Sequence, residues 1–541
     1  MTVGFEEFVR SVTGHVPSAQ LAKLAVDGLP EVLEVPQGVA RAEAAVLPWL
    51  YRRMVSGPGG TPRRLVYVLP VHGPVEETFA RIGAWLARLG PACDVGLHMM
   101  AGPSRDAGWQ RRPERTAIVV GTQDLLLSRA LMRGFGDGRH SAPVLFGLLN
   151  NDAQWVFDDA HRLGPGLATS VELQRLRDLL GTSAPTRSMW MSQDRDLLAL
   201  LDGDSDGDGA GVRGLDREAL LALFDTAVEP PDADVDRWVC AEADWTVLVA
   251  RRSWESGAPC DDEPPARKEE LRQLPLAEVR RTLDDRFWIR DPLDGRWRHP
   301  TAEDLRPGLT LLQDVPEAGA LENPGRQVFA CVQWVSLDQH LMETEQEARD
   351  LLAALAPSPG LPDEQRQAVV LAARYHDLGK SHEVFQEMLR SGGGDPPEGL
   401  LAKSKAPYNT GRCARPYFRH ELASALILMS GDHPWLMTYL VAAHHGTVRV
   451  SVHPGPDEAP LVLGVQAGDR TPQIELSTGE RFPAGTLQPA AFGSEGCWTP
   501  RVLSLLNRDD LGPFRLAYLE TLVRVSDWRS SERHDGPVGL L

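Results

Sequence analysis

Seven residues in the C-terminal part of the chain carry side chains that ligate divalent cations: His340, His376, Asp377, His420, His444, His445 and Asp527. Imidazoles suit first-row metals such as Mn, Fe, Co, Ni and Zn, and a carboxylate can bridge two ions while supplying negative charge. Two cations held about 3.5–4 Å apart activate water and stabilise both the attacking and the leaving oxygen of a phosphodiester. The residue types therefore predict two-metal phosphoester hydrolysis. His382, His433 and His453 stand in turn-like sequence or beside proline and complete no ligand set.

Helices must deliver these residues. In Gln365 to Asp377 the residues Ala368, Leu371, Ala372 and Tyr375 form a helical stripe, which brings His376-Asp377 to a helix end just before Gly379. Pro434 opens a second helix, Leu436 to Ala443, that ends in His444-His445-Gly446. Asp527 follows Leu516 by about three helical turns, so it shares an inward face with Leu516 and Leu519.

The flanking residues narrow the identity. His340 sits in Ser336-Leu-Asp-Gln-His-Leu341, and the His-Asp pair in Ala373-Arg-Tyr-His-Asp-Leu-Gly-Lys380, with Phe385-Gln386 after it. His420 lies in Arg419-His-Glu-Leu-Ala-Ser424, the paired histidines in Ala443-His-His-Gly446, and the last carboxylate in Val525-Ser-Asp-Trp-Arg529. Over about 330–535 the chain resembles the HD nuclease domain of the CRISPR-associated helicase-nucleases of type I systems. The resemblance implies that His340, His376, Asp377 and Asp527 hold one metal and that Asp377, His420, His444 and His445 hold the second, with Asp377 bridging. It gives Asp377 and Lys380 catalytic roles, Lys380 steadying a phosphate oxygen, and leaves Arg419 and Arg449 as weaker candidates for contacts to a nucleic-acid backbone. The metals expected are two divalent transition ions, Fe, Mn, Ni or Co.

The front of the chain follows a different rhythm. Apolar runs at Val32–Val35, Leu65–Leu69, Ala117–Val120, Gln154–Phe157 and Ser188–Met191 alternate with helix-length amphipathic stretches, which predicts a parallel α/β sheet. Gly121-Thr-Gln-Asp-Leu-Leu-Leu-Ser-Arg-Ala-Leu131 and Trp155-Val-Phe-Asp-Asp-Ala-His161 resemble the first RecA-like lobe of the same family's helicase, in the subtype that places helicase before HD. Where a phosphate-binding loop needs Lys and Ser/Thr, the chain reads Pro36-Gln-Gly-Val-Ala-Arg-Ala42. Arg41 presents a planar fork in place of a compact charge, and Ala42 offers no hydroxyl to Mg²⁺. Asp159 stands where the family has Glu, and Met191-Ser-Gln-Asp194 replaces Ser-Ala-Thr. No ATP is expected to be bound or hydrolysed, so the lobe is read as a degenerate helicase domain.

About 130 residues separate this lobe from the metal-ligating region, too few for a second complete RecA-like lobe with its accessories. They begin with the acidic linker Asp202-Gly-Asp-Ser-Asp-Gly-Asp-Gly-Ala-Gly211, which lacks the closing Glu of a calcium loop. Trp288, Gly295 and Trp297 then punctuate short alternating runs between Asp284 and Leu312. The layout expected is multidomain: a degenerate α/β RecA-like lobe at 1–200, an acidic linker and small β-rich connector at 201–325, and an all-α HD domain at 326–541.

At 541 residues and 42% hydrophobic content the chain has room for two substantial cores. No apolar stretch approaches about 18 residues, no signal peptide is evident, and six scattered cysteines without Cys-x-x-Cys spacing suit a reducing compartment. These features predict a cytoplasmic protein with no membrane partner. A net charge of −19 is unfavourable for gripping DNA unaided, since such affinity comes from neutralising phosphates. Either a local basic track, including Lys403, Lys405, Arg412, Arg415 and Arg419, or a partner must bring the substrate to the site.

The expectation is thus a metal-dependent HD nuclease that cleaves single-stranded DNA in a type I CRISPR-like antiviral defence system. An RNA-guided surveillance complex or a separate helicase would be its partner, and the ATPase-dead lobe its scaffold. Two rivals remain open: an HD phosphohydrolase acting on small nucleotides, and a non-catalytic binding protein whose metal site is structural.

Overall fold

The computed structural model describes residues 4–201 and 329–537 with gaps, the longest at 406–414, and the backbone of five strands between 246 and 316. The stretch 36–40, the acidic linker 202–211, Gly295, Arg412 and His453 fall outside the described residues. The chain divides into two compact units, one of residues 1–101, 106–216 and 327–541 and the other of 102–105 and 217–326.

The N-terminal half of the first unit is a RecA-like parallel α/β sheet. Its strands are β1 (Val32–Glu34), β2 (Arg64–Leu69), β3 (Val95–Ala101), β4 (Thr116–Thr122), β5 (Ala153–Phe157) and β6 (Thr186–Ser192). They lie in the order β1-β6-β5-β2-β4-β3, every neighbouring pair parallel. The surrounding helices are α1 (Phe5–Thr13), α2 (Ala19–Asp27), α3 (Arg41–Met54), α4 (Gly73–Leu89), α5 (Gln123–Ala130), α6 (Ala142–Leu149) and α7 (Pro165–Leu180). A strand buried on both faces reads as a continuous apolar run; β2 and β5 are buried along their whole length. One side of the sheet is an aromatic column in which Phe157 stacks between Trp155 and Trp190, with centroids 5.6 and 5.8 Å away. Strand β3 was not visible as an apolar run because Gly96 and His98 interrupt it, and most of its side chains are only half-buried.

The second unit carries β7 (Thr246–Trp254), β8 (Glu269–Pro275), β9 (Phe287–Arg290), β10 (Trp297–Arg298) and β11 (Thr310–Pro316), ordered β10-β9-β11-β7-β8. The β7–β11 pair is parallel and the others antiparallel.

The C-terminal half of the first unit is helical: α8 (Leu337–Leu355), α9 (Asp363–Tyr375), α10 (Glu383–Arg390), α11 (His420–Met429), α12 (Trp435–Ala443), α13 (Trp498–Leu506) and α14 (Gly512–Glu532). Short two-stranded ladders decorate it, among them β12 (Val335–Ser336) against β13 (Leu401–Lys403) and two between Arg470 and Thr486. Helix α14 has no single inward face, since residues from Phe514 through Asp527 are buried almost without a break. One side faces the helical bundle; the other meets α6, where Phe146 stacks on Phe514 at 5.6 Å and Asn151 donates to the Phe514 carbonyl at 2.9 Å. Gly147 permits this approach, because a Cβ there would collide with Thr521 Oγ1 and lie 2.6 Å from the Ala517 carbonyl oxygen.

Candidate metal centre

Helix ends position most of the proposed ligands. Ser336 caps α8, its hydroxyl accepting from the Gln339 amide at 3.2 Å, and His340 follows on the first turn, fully buried. His376 closes α9 and Asp377 begins the tight turn Leu378–Ser381. His420 opens α11, His444 and His445 follow the last residue of α12, and Asp527 comes from α14. The turn after Asp377 needs glycine: a Cβ on Gly379 would strike the His420 carbonyl and come within 2.6 Å of the Ser424 nitrogen. In the space so left, the Gly379 amide donates to Ser424 Oγ at 2.7 Å, and Ser424 Oγ donates to the His420 carbonyl at 2.8 Å. The His-Asp-Leu-Gly turn is thereby bonded to the start of α11.

All seven residues converge. Asp377, His420, His444 and His445 form one group and His340, His376 and Asp527 another, each with one potential ligand atom per residue within 4.8 Å of the others. Asp377 stands between them. Its Oδ2 lies 3.3 Å from His340 Nε2 and 3.2 Å from His376 Nε2, while its Oδ1 lies 3.0 Å from His420 Nε2 and 3.9 Å from His444 Nε2. Asp527 Oδ1 is 3.5 Å from His340 Nε2 and 3.7 Å from His376 Nε2.

The donor atoms fit divalent cations. His376 Nδ1 sits 2.9 Å from the Ala373 carbonyl and His444 Nδ1 2.6 Å from the Val441 carbonyl. A carbonyl only accepts, so each Nδ1 carries a proton, and in the neutral ring each Nε2 is left with its lone pair, the arrangement metal-bound histidines adopt. The Nε2 atoms of His340, His376 and His444 are buried without a hydrogen-bond partner, a costly state unless a cation takes the lone pairs.

Electrostatics without ions follow from this crowding. Burial alone would lower the pKa of His376, but Asp377 and Asp527 raise it to about 9. Burial would raise Asp377, yet His376, Lys380 and His420 hold it well below the usual carboxylate range. His444 and His445 are pushed well down, first by burial and then by neighbouring positive charge.

The basic candidates separate. Lys380 Nζ is 2.6 Å from Asp377 Oδ2. Arg449 pairs with buried Glu520 at 3.0 Å, and Arg415 with Asp469 at 2.5 Å, so both are engaged within the protein. Arg419 Nε is buried without a hydrogen-bond partner. Lys405 is exposed, while Lys403 is buried in β13. Three residues that the sequence reading passed over also reach the centre. Arg524 Nη1 contacts His445 Nδ1 and lies 3.5 Å from Asp527 Oδ2. Ser531 Oγ donates to Asp527 Oδ1 at 3.2 Å, and Ser530 Oγ is 3.5 Å from His340 Nδ1. Positions three before, three after and four after Asp527 share its helix face, a signal that could have found them.

In the RecA-like lobe, β1 is separated from β5 by β6 alone, so the start of α3 and the end of β5 are neighbours at the carboxyl edge, where open parallel sheets bind ligands. Arg41 Nη1 pairs there with Asp159 and lies 3.5 Å from Asp158 Oδ1. Asp158 Oδ2 also accepts from Tyr67 at 2.7 Å.

None of the curated proteins matches the chain. Residues 326–534 match the family model described as Cas3, HD domain, the span that holds every one of the seven converging residues, and this part of the chain is a Cas3-like HD domain.

Proposed function

We propose that the chain is a metal-dependent HD nuclease that hydrolyses phosphodiesters of single-stranded DNA in a type I CRISPR-like defence system. The observation that carries this reading is Asp377, whose two oxygens face two separate imidazole groups, with the Nε2 atoms of His340, His376 and His444 buried without a hydrogen-bond partner. His340, His376, Asp377 and Asp527 would hold one divalent cation and Asp377, His420, His444 and His445 the other. Bound there, the cations supply Lewis acidity and an activated water for phosphodiester hydrolysis.

The protein's own groups do the rest. The Ala373 and Val441 carbonyls fix the imidazole tautomers, and ionised Asp377 and Asp527 give the centre its negative charge. Lys380 orients a phosphate oxygen from beside Asp377. The RecA-like lobe acts as an ATPase-dead scaffold, a role supported by Arg41, which pairs with the acidic residues that would otherwise serve nucleotide and Mg²⁺. A surveillance complex or separate helicase would present the strand.

Purified chain supplied with Mn²⁺, Co²⁺, Ni²⁺ or Fe²⁺ and offered circular single-stranded DNA beside a panel of nucleotides tests this. Cleavage of the circle with nucleotides left intact is expected. Turnover of nucleotides alone would replace the nuclease reading with a small-molecule phosphohydrolase.

A further inference from the structure

Lys403 has no part in the site as drawn so far. It ends β13 and is 9% exposed. Its ammonium donates to Ser531 Oγ at 2.7 Å, and that hydroxyl leads on to Asp527. Among the described residues it forms no ion pair. Lys380, from the turn Leu378–Ser381, reaches the same strand, its Nζ donating to the Ala402 carbonyl at 3.4 Å. A buried ammonium held by one hydroxyl is unfavourable, because lost hydration is not repaid by a counter-charge.

The charges around the centre sharpen the point. Asp377, Asp527 and the fully buried Glu421 beside His420 bring three negative charges. Lys380, Lys403 and Arg524 bring three positive ones. Imidazoles apart, these six side chains therefore balance one another before any dication arrives. Neutral imidazoles add ligands without adding charge, so two dications would leave the pocket strongly positive.

We infer that the centre takes up its cations together with a phosphate-class anion, and that Lys403 is the side chain that couples the two. The inference rests on the two-metal reading above and deepens it. An anion entering between Lys403, Lys380 and the cations provides the missing negative charge. Because coupling is reciprocal, such an anion must raise cation affinity by the factor by which the cations raise its own. A phosphodiester in a strand and free phosphate share this chemistry.

Mn²⁺ binding to the full chain, followed by the electron paramagnetic resonance of free Mn²⁺, tests the coupling. Three conditions are compared: Mn²⁺ alone, with inorganic phosphate, and with a phosphorothioate-linked thymidine dinucleotide. At least one anion is expected to tighten Mn²⁺ binding by about fivefold or more; an effect from the dinucleotide alone assigns the site to strands, one from both to phosphate in general. In Lys403→Met the anion effect should fall below about twofold while binding of Mn²⁺ alone is unchanged or tighter; Lys403→Arg should keep the effect. Wild-type Mn²⁺ binding that neither anion alters would overturn the inference while leaving the metal centre standing, as would a full anion effect in folded Lys403→Met. No Mn²⁺ binding under any condition would overturn the metal-centre reading and this inference with it.

Discussion

Lys380 Nζ lies 2.6 Å from Asp377 Oδ2, one turn further along the chain, and thus approaches the oxygen that also faces His340 and His376. The tight turn Leu378–Ser381 sets this spacing. If Lys380 orients phosphate, Lys380→Met should lower kcat for DNA cleavage by about 100-fold, as loss of a charge-stabilising donor does. Bound metal should be retained. Lys380→Arg should recover little, because a planar fork cannot replace a compact ammonium. Full activity in Lys380→Met would remove this residue from the mechanism.

The raised pKa of His376 gives the ion-free protein a pH signature. Its attraction to Asp377 and Asp527 stabilises the fold fully below the ordinary histidine value near 6.5 and is lost as pH climbs towards about 9. A cation needs the neutral ring, so metal binding displaces this proton and strengthens over the same interval. The rise in melting temperature on adding Mn²⁺ to chelator-treated protein should therefore grow between pH 6.5 and 9. A metal-induced shift that stays constant with pH would argue against His376 as a ligand.

Gly147 links the RecA-like lobe to the candidate metal centre through α14, the helix that supplies Asp527. A leucine there would push against Thr521 and Ala517. Gly147→Leu should cost about 1–3 kcal/mol by overpacking and weaken Mn²⁺ binding, although the substitution touches no ligand. Wild-type stability and metal affinity in this variant would show that the lobe lends α14 no support.

The seven candidate ligands were legible as an ordered set through the resemblance to the HD domain, and helix ends and helical periodicity place His376, Asp377, His444 and His445 almost independently of the rest of the fold. Strand β3 and the all-round burial of α14 were not. Gly96 and His98 break the apolar run in β3, and burial of α14 on a second side depends on α6, which lies far away in sequence. Lys403 read as one of several basic loop residues, since β13 is only three residues long and its pairing with β12 is a tertiary event. The pairing of Arg415 with Asp469 and of Arg449 with Glu520 was hidden for the same reason.

In the RecA-like lobe, the Arg41–Asp159 ion pair lies where nucleotide phosphates and Mg²⁺ would be expected. ATP should be neither hydrolysed nor able to change the rate of DNA cleavage. Arg41→Lys alone should not restore turnover, because Ala42 still offers no hydroxyl for Mg²⁺. DNA-stimulated ATP hydrolysis by the pure chain, abolished by Asp158→Ala, would contradict a dead lobe.

The most direct measurement of the central claim is metal stoichiometry, by elemental analysis, in wild type, Asp377→Ala and His340→Ala after loading with Mn²⁺. Since Asp377 faces both imidazole groups and His340 only one, the expected values are about two, near zero and about one ion per chain. Each variant should keep its helical circular dichroism. An undiminished metal content in folded Asp377→Ala would contradict a bridged two-metal centre.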